Sequence, residues 1–167
     1  LTGINEIIKE AGIAKATLYS HFSSKEDICL AYLEYKDETF LGNLTEYLDT
    51  KEEGRSKILG LFDFLKQFFK DQDFNGCWCI NTISEIPKEN KKIRITIQQQ
   101  KNSFIGLIST LIEENLSVLN GEPKRSKLAK KIYLLYESAI AESHLHREVW
   151  PIESARELCE ILISAYK

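Results

Sequence analysis

Two cysteines separated by a single residue, Cys77 and Cys79, are the residues whose types and spacing point most directly to chemistry. A thiolate reacts with oxidants and electrophiles and binds soft metal ions, and Trp78 adds an aromatic surface between them. A metal site would need more ligands, and His144 and His146 lie far away in the sequence. We therefore predict no metal site. The pair is interpreted as structural cysteines of an apolar helix or, alternatively, as a thiol sensor.

The sequence contains no motif typical of an enzyme. It has no glycine-rich phosphate loop, no nucleophile elbow and no HExxH zinc motif. Its carboxylates are scattered over the exposed faces of predicted helices instead of being grouped near loops. We predict that the protein is not an enzyme and uses no cofactor.

The composition is that of a folded helical protein. Hydrophobic residues make up 43% of the chain and charged residues 28%, which argues against disorder, and only three prolines interrupt it. No apolar run reaches the roughly 18 residues that a membrane span needs, so no membrane partner is expected. With this apolar content the four cysteines are not needed as a disulfide framework. We read them as reduced thiols of a cytoplasmic protein.

Hydrophobic residues recur at helical spacing along the whole chain. The pattern predicts an all-α fold of about eight helices without a convincing strand. Ser24 is the expected N-cap of a long third helix, with Asp27 three residues later in a capping-box position. The predicted helices cover about residues 3–11, 14–20, 24–47, 58–70, 77–86, 88–116, 124–144 and 152–166.

The segment 2–28 has the make-up of a DNA-reading helix-turn-helix. Its support helix ends at Gly12, which permits a tight turn, and a short second helix follows whose first side chains can enter a major groove. Lys15 can reach guanine or phosphate, and Thr17 offers a hydroxyl and a methyl group. Ala16 is small enough for close approach to a base. The overall charge of −3 does not favour DNA, although this end of the chain carries a small basic excess.

The same segment closely resembles the DNA-binding signature of the TetR family of repressors. The resemblance implies that Tyr19, His21 and Lys25 contact DNA phosphates and that Thr2 does so from the start of its helix. The matching motifs are Ala11-Gly12-Ile13, Thr17-Leu18-Tyr19, His21-Phe22 and Ser24-Lys25-Glu26.

The resemblance also implies two domains. Residues 1–30 would form the helix-turn-helix DNA-binding domain and residues 31–167 a larger helical effector-binding and dimerisation domain. The family has a further helix that packs behind the motif and would precede Leu1, so we expect the DNA-binding domain of this sequence to be N-terminally incomplete. Ala14 stands where the family usually has a capping residue, which weakens the recognition helix by about 1 kcal/mol.

A protein of this family is expected to be a ligand-responsive transcriptional regulator, usually a repressor. It would bind a palindromic operator in duplex DNA as a homodimer and be released by a small apolar or aromatic effector. The last two helices would form the dimer interface, although the same stripes could instead pack within one subunit. The candidate interface residues are Leu128, Ile132, Leu135, Ala139, Leu158 and Leu162.

Aromatic and polar residues in the middle of the chain could line the effector pocket. For each of them ordinary core packing is the alternative. The candidates are Phe62, Phe69, Trp78, Asn81, Glu85 and Tyr136. Two further functions stay open: a helical adaptor that does not bind DNA, and a regulator that senses thiol modification at Cys77 or Cys79 without a small-molecule ligand.

Overall fold

The computed structural model describes residues 3–116 and 121–166, and all of their regular secondary structure is α-helical, so the predicted all-α class is confirmed. Observed helix boundaries differ from the predicted ones by a few residues. The eight helices within these two ranges are α1 (Ile4–Ala11), α2 (Lys15–His21), α3 (Lys25–Asp49), α4 (Arg55–Asp71), α5 (Trp78–Glu85), α6 (Lys91–Asn115), α7 (Glu122–His146) and α8 (Trp150–Ser164).

Helices α1 and α2 form the helix-turn-helix around a left-handed residue. Gly12 has φ 64°, and its N–H donates to the last carbonyls of α1. This conformation is inexpensive only for glycine, so the turn is specified locally. Across both helices Leu18 is the only buried residue. The unit therefore has a very small core of its own.

The long helix α3 connects this unit to the rest of the chain. Its start is fixed by Ser24, whose hydroxyl accepts the Asp27 N–H at 3.1 Å and donates to the Asp27 carboxylate at 2.9 Å. The predicted cap is thus confirmed, and it holds the first turn of α3 in place beside the recognition helix. Farther along, Leu33, Phe40 and Leu44 are buried against the body.

The body is a bundle in which α7 packs on α6 and α8, and α4 packs on α3, α6 and α8. The short helix α5 bridges α3 and α6 at one side of the bundle. Helix α4 has more buried residues than any other of the described helices, because apolar residues occupy most of its circumference. The large residues that lie deepest in this core include Leu33, Leu44, Ile58, Leu61, Phe62, Leu65, Ile108, Ile112, Leu128, Ile132, Tyr136 and Ile152.

Helix α6 begins three residues later than predicted, at Lys91 instead of Lys88. Asn90 sets this start, because its side-chain oxygen accepts the Ile93 N–H at 3.1 Å. The amide nitrogen of the same side chain donates to Glu26 of α3 at 2.8 Å. One residue therefore caps α6 and ties it to the first turn of α3.

Candidate functional site

The residues of α2 that are predicted to contact DNA are all exposed in the structure. Lys15, Ala16, Thr17, Tyr19 and His21 are all exposed on α2. Leu18, between them, points inward and holds the helix against its support. An exposed face on the second helix of such a motif is the surface that can enter a major groove.

Two other predicted DNA contacts flank this face or lie beyond it. Lys25 is exposed at the first position of α3, next to the Ser24 cap. Thr2 lies outside the described residues. Ala14 has an extended backbone and makes no side-chain bond to the start of α2, as its residue type predicts. The roles of these residues in binding stay predictions.

The two cysteines meet side chains from α6. Cys77 is the residue before α5 and has an extended backbone (φ −90°, ψ 117°), whereas Cys79 is inside the helix. The sequence pattern placed both in one helix, where residues two apart face different ways. The extended conformation instead lets both buried sulfurs approach α6. Lys101 Nζ lies 3.3 Å from the Cys77 sulfur, and the Cys79 sulfur lies 3.7 Å from Gln100 Oε1.

Electrostatics around Cys77 favour the thiolate. A hydrogen bond from Cys79 and the nearby Lys101 ammonium hold the pKa of the Cys77 thiol below its usual range, although burial opposes them. The pKa of Cys79 is raised, because its proton is shared with Cys77 and because it is buried. The thiolate therefore belongs to Cys77 and the proton to Cys79.

Lys101 is held by a second negative group. Its Nζ lies 2.6 Å from a carboxylate oxygen of Glu137 on α7. Burial alone would lower the pKa of Lys101, but the charges of Cys77 and Glu137 raise it. The ammonium thus links α5, α6 and α7 through two charge-assisted contacts.

The turn before Cys77 requires glycine. Gly76 has φ 77°, and a Cβ there would meet the His144 ring at 3.1 Å. The same imidazole contacts the carbonyl of Phe74 through Nδ1. Close approach to α7 therefore fixes the path of the chain into Cys77.

Two cavities adjoin this cluster and share Phe68, Gly76 and Trp78 in their walls. The inner one, about 30 Å³, is also lined by Cys77 and Lys101. The outer one, about 390 Å³, lies between α3, α5 and the end of α4. The two cavities therefore adjoin at these three shared residues.

Five of the six predicted pocket residues line these cavities. Phe69, Trp78 and Tyr136 line the inner cavity, and Asn81 and Glu85 line the outer one together with Trp78. Phe62 lines neither. It is fully buried and packs on the Tyr136 ring with centroids 5.7 Å apart. Phe62 is therefore a core residue, and the pocket prediction is corrected at that position.

Sequence reasoning missed Lys101 and Glu137. A signal for Lys101 exists, because it occupies the apolar stripe of α6 between Ile97 and Phe104, both of which are buried. A lysine at such a position is desolvated unless it is paired. The three glutamines that precede Lys101, at positions 98–100, are instead typical of a solvent-exposed helix surface.

Three of the predicted interface residues lie inside a single chain. Leu128, Ile132 and Ala139 are buried in the core, so they have no surface to offer a second copy. The prediction is corrected for these three, and packing within the subunit, the alternative left open, applies to them. Leu135 and Leu162 are partly buried. Leu158 is 50% exposed.

Other large apolar side chains of the last two helices are exposed. Leu145 is 71% exposed and Ile161 66% exposed, and Leu134 and Trp150 are exposed too.

None of the helices in residues 3–116 and 121–166 combines the length and the apolar character that a membrane crossing requires. Within the same residues no group of three or more potential ligands is placed to hold a metal ion.

Comparison with known sequences assigns the first helices to a family. Residues 1–32 match the family described as bacterial regulatory proteins, tetR family. The chain is 27% identical over 159 residues to the HTH-type transcriptional repressor NemR of Escherichia coli, an alignment that covers 92% of this chain and 79% of NemR. It is 24% identical over 121 residues to the fatty acid metabolism regulator protein of Bacillus subtilis, covering 72% and 60% of the two chains.

Solved structures share the fold over most of their length. A TetR-family transcriptional regulator from Streptomyces coelicolor superposes with a TM-score of 0.86 at 22% identity, covering 98% of this chain and 84% of that one. The reduced form of E. coli NemR gives a TM-score of 0.78 at 27% identity, covering 96% and 86%. FadR from B. subtilis, solved with stearoyl-CoA, gives 0.75 at 19% identity, covering 97% and 87%.

Proposed function

We propose that the chain, a TetR-family regulator, represses transcription as a cytoplasmic homodimer. In this proposal the dimer binds a palindromic operator and leaves it when an effector occupies the body of each subunit. One observation carries the proposal: the side chains of the family signature on α2 are exposed on one short helix, while the body behind it contains a polar cluster beside two cavities. Solvent-exposed recognition residues and an internal site are the two parts that such a regulator needs.

The outer face of α7 and α8 supports dimerisation. Leu134, Leu145, Trp150, Leu158 and Ile161 are large apolar residues exposed on these two helices. Such residues gain free energy when a second copy covers them, and a two-fold interface would place two recognition helices on one face of the DNA. Leu158 is thus kept as a proposed interface residue, with the other four added.

A connected path supports communication between effector and DNA. Lys101, in the middle of α6, lines the inner cavity, and the same helix begins at Asn90 beside Glu26. Lys92 also lies 3.8 Å from Glu26 and 3.6 Å from Asp27. An effector that moves α6 would therefore move the first turn of α3. Linkage then requires the effector to lower DNA affinity by the factor by which DNA lowers effector affinity.

The test is selection of bound sequences from a random duplex-DNA library, using the full-length protein at near-physiological salt. We expect a palindrome, whose two halves reflect the two-fold symmetry of the dimer. Lys15→Ala or Thr17→Ala should change the preferred bases, whereas Lys25→Ala should weaken all sequences alike and reduce the salt dependence. Lys124→Ala, an exposed lysine at the start of α7, is the matched control. If a folded dimer enriches no sequence, the adaptor function replaces the repressor.

A second candidate function is thiol sensing, favoured by the 3.3 Å contact between Lys101 Nζ and the Cys77 sulfur. A thiolate beside an ammonium and a cavity is the arrangement of a reactive cysteine. NemR, a relative over most of the chain, has been solved in a form described as reduced. In this version covalent modification of Cys77 replaces reversible binding as the release signal.

Alkylation separates the two candidates. With iodoacetamide the Cys77 sulfur would form a bond to the methylene carbon and iodide would leave, which peptide mass spectrometry detects. We expect modification to weaken operator binding in the protein but not in Cys77→Ser. Cys159 is the matched control, because burial raises its pKa to about 12 and it lies in α8 away from the cluster. Operator affinity that is unchanged after complete modification of Cys77 would exclude thiol sensing there.

A further inference from the structure

Two buried donors in the body have no partner within the described part of the chain. They are the hydroxyl of Tyr136, a side chain that is only 1% exposed, and the indole Nε1–H of Trp78. A buried donor that leaves water without gaining an acceptor costs free energy. Both residues line the inner cavity, so a ligand bound there could supply the missing acceptors and offset this free-energy cost.

Two residues with acceptor groups at the same cavity, Glu137 and Gln100, already have partners. Glu137 receives the Lys101 ammonium at 2.6 Å. Gln100 Oε1 lies 3.7 Å from the Cys79 sulfur, and the Gln100 amide nitrogen donates to the Leu33 carbonyl at 3.1 Å. Burial raises the pKa of the Asp37 carboxyl, and the Lys101 ammonium opposes that shift. The two buried groups without a partner at this cavity are donors, so their complement is an oxygen that accepts hydrogen bonds.

The sizes of the two cavities suit a ligand with a small polar group at one end and a larger ring at the other. About 30 Å³ holds a group no larger than one or two water-sized atoms. The outer cavity, about 390 Å³, is large enough for a ring system. The shared walls, Phe68 and Trp78, are aromatic and suit a flat molecule. Phe40 packs edge-on against Trp78 at 5.3 Å and fixes the orientation of the indole.

We infer that the effector is a planar conjugated molecule bearing a carbonyl or carboxylate oxygen, which enters the inner cavity and accepts hydrogen bonds from Tyr136 and Trp78 while its ring lies in the outer cavity. This inference depends on the proposed function only in placing the effector in these two cavities. It gives the ligand a chemistry that an apolar pocket alone would not require.

Three probes of one shape test the inference: acetophenone with a ketone, benzoate with a carboxylate, and ethylbenzene with neither. None of them alkylates a thiol, so Cys77 stays unmodified. We expect both oxygenated probes to bind the full-length protein about tenfold more tightly than ethylbenzene in ligand-observed NMR titrations. Tyr136→Phe should remove that advantage and leave ethylbenzene unchanged.

Two further variants keep the test specific. Tyr47→Phe removes a hydroxyl from a tyrosine that packs on Phe64, away from the cavities, and should change nothing. Lys101→Gln should weaken benzoate more than acetophenone if the ammonium recognises a charged head, and both equally if a neutral carbonyl is the natural group.

The inference is overturned if ethylbenzene binds as tightly as acetophenone and benzoate, or if neither oxygenated probe binds at millimolar concentration. In both cases an operator recovered in the library selection would leave the repressor function standing. Failure to bind any operator would instead reject the repressor function, while the probe titrations would still decide what the cavities accept.

Discussion

The helix-turn-helix and the helical body of this chain depend on different kinds of residue. In α1 and α2 a single side chain, Leu18, is buried, and most of the recognisable motif is exposed. In the body every helix from α3 to α8 buries at least one side chain in a common core. The first region is thus characterised by what it presents to a partner, and the second by what it removes from water. Substitutions should separate the two.

The largest expected effect is on the body. Ile108 is fully buried in α6, and Ile108→Ala should lower the free energy of unfolding by about 2–5 kcal/mol. Ile95 on the same helix is 51% exposed, and Ile95→Ala should change it by less than about 0.5 kcal/mol. Chemical denaturation monitored by circular dichroism measures both. Equal effects at the two positions would contradict the burial pattern of α6.

Leu18→Ala tests the other region. Losing the one buried side chain of α1 and α2 should lower the free energy of their local opening by about 2–3 kcal/mol. Operator binding should then be abolished, while the melting temperature of the body stays unchanged. Amide hydrogen exchange over residues 3–22 reports the opening. A drop in the melting temperature as large as that of Ile108→Ala would show that the two regions unfold as one cooperative unit.

The pH dependence of Cys77 sharpens the comparison inside the body. Its pKa is lowered by Cys79 and Lys101, so the rate of alkylation should be level at neutral pH and fall as the pH drops through that lowered value. An ordinary thiol, with a pKa of about 8.5, would still gain reactivity above neutrality. Lys101→Met removes the cation and should move the rise toward higher pH, which iodoacetamide kinetics at several pH values measure. A profile that Lys101→Met leaves unchanged would show that the ammonium does not activate the thiol.

The smallest expected effect is an increase in the free energy of unfolding instead of a decrease. Tyr136→Phe deletes a buried hydroxyl that has no partner in the described residues, so the variant should be more stable by about 1 kcal/mol, a rise of a few degrees in melting temperature. The same change should weaken oxygen-bearing ligands. Calorimetry of the free protein and titration with acetophenone measure the two halves of this trade. Lower stability in Tyr136→Phe would mean that the hydroxyl is already satisfied.

Much of the fold could be predicted from the sequence because local signals determine it. Gly12, the Ser24–Asp27 cap and the helical spacing of apolar residues place the elements to within a few residues. The outward set on α2 follows from the motif and from the single inward residue, Leu18.

The polar centre of the body could not be predicted in the same way. Cys77, Lys101 and Glu137 come from three elements far apart in the chain, and only tertiary packing brings them together. The dimer prediction met a related limit. An amphipathic stripe shows that a face is covered but not whether the cover belongs to the same subunit, as Leu128 and Ile132 illustrate.

Trp78 lines both cavities, and this has a practical consequence for measuring ligand binding. Its ring is exposed to the outer cavity, with the Lys36 ammonium 5.5 Å from its centroid, while its Nε1–H is buried and unpaired in the described residues. The emission colour of an indole responds to charges near the ring and to hydrogen bonding at nitrogen. With Trp150, the one other tryptophan, replaced by phenylalanine, the fluorescence of Trp78 would report whether the proposed effector is bound, without an added dye.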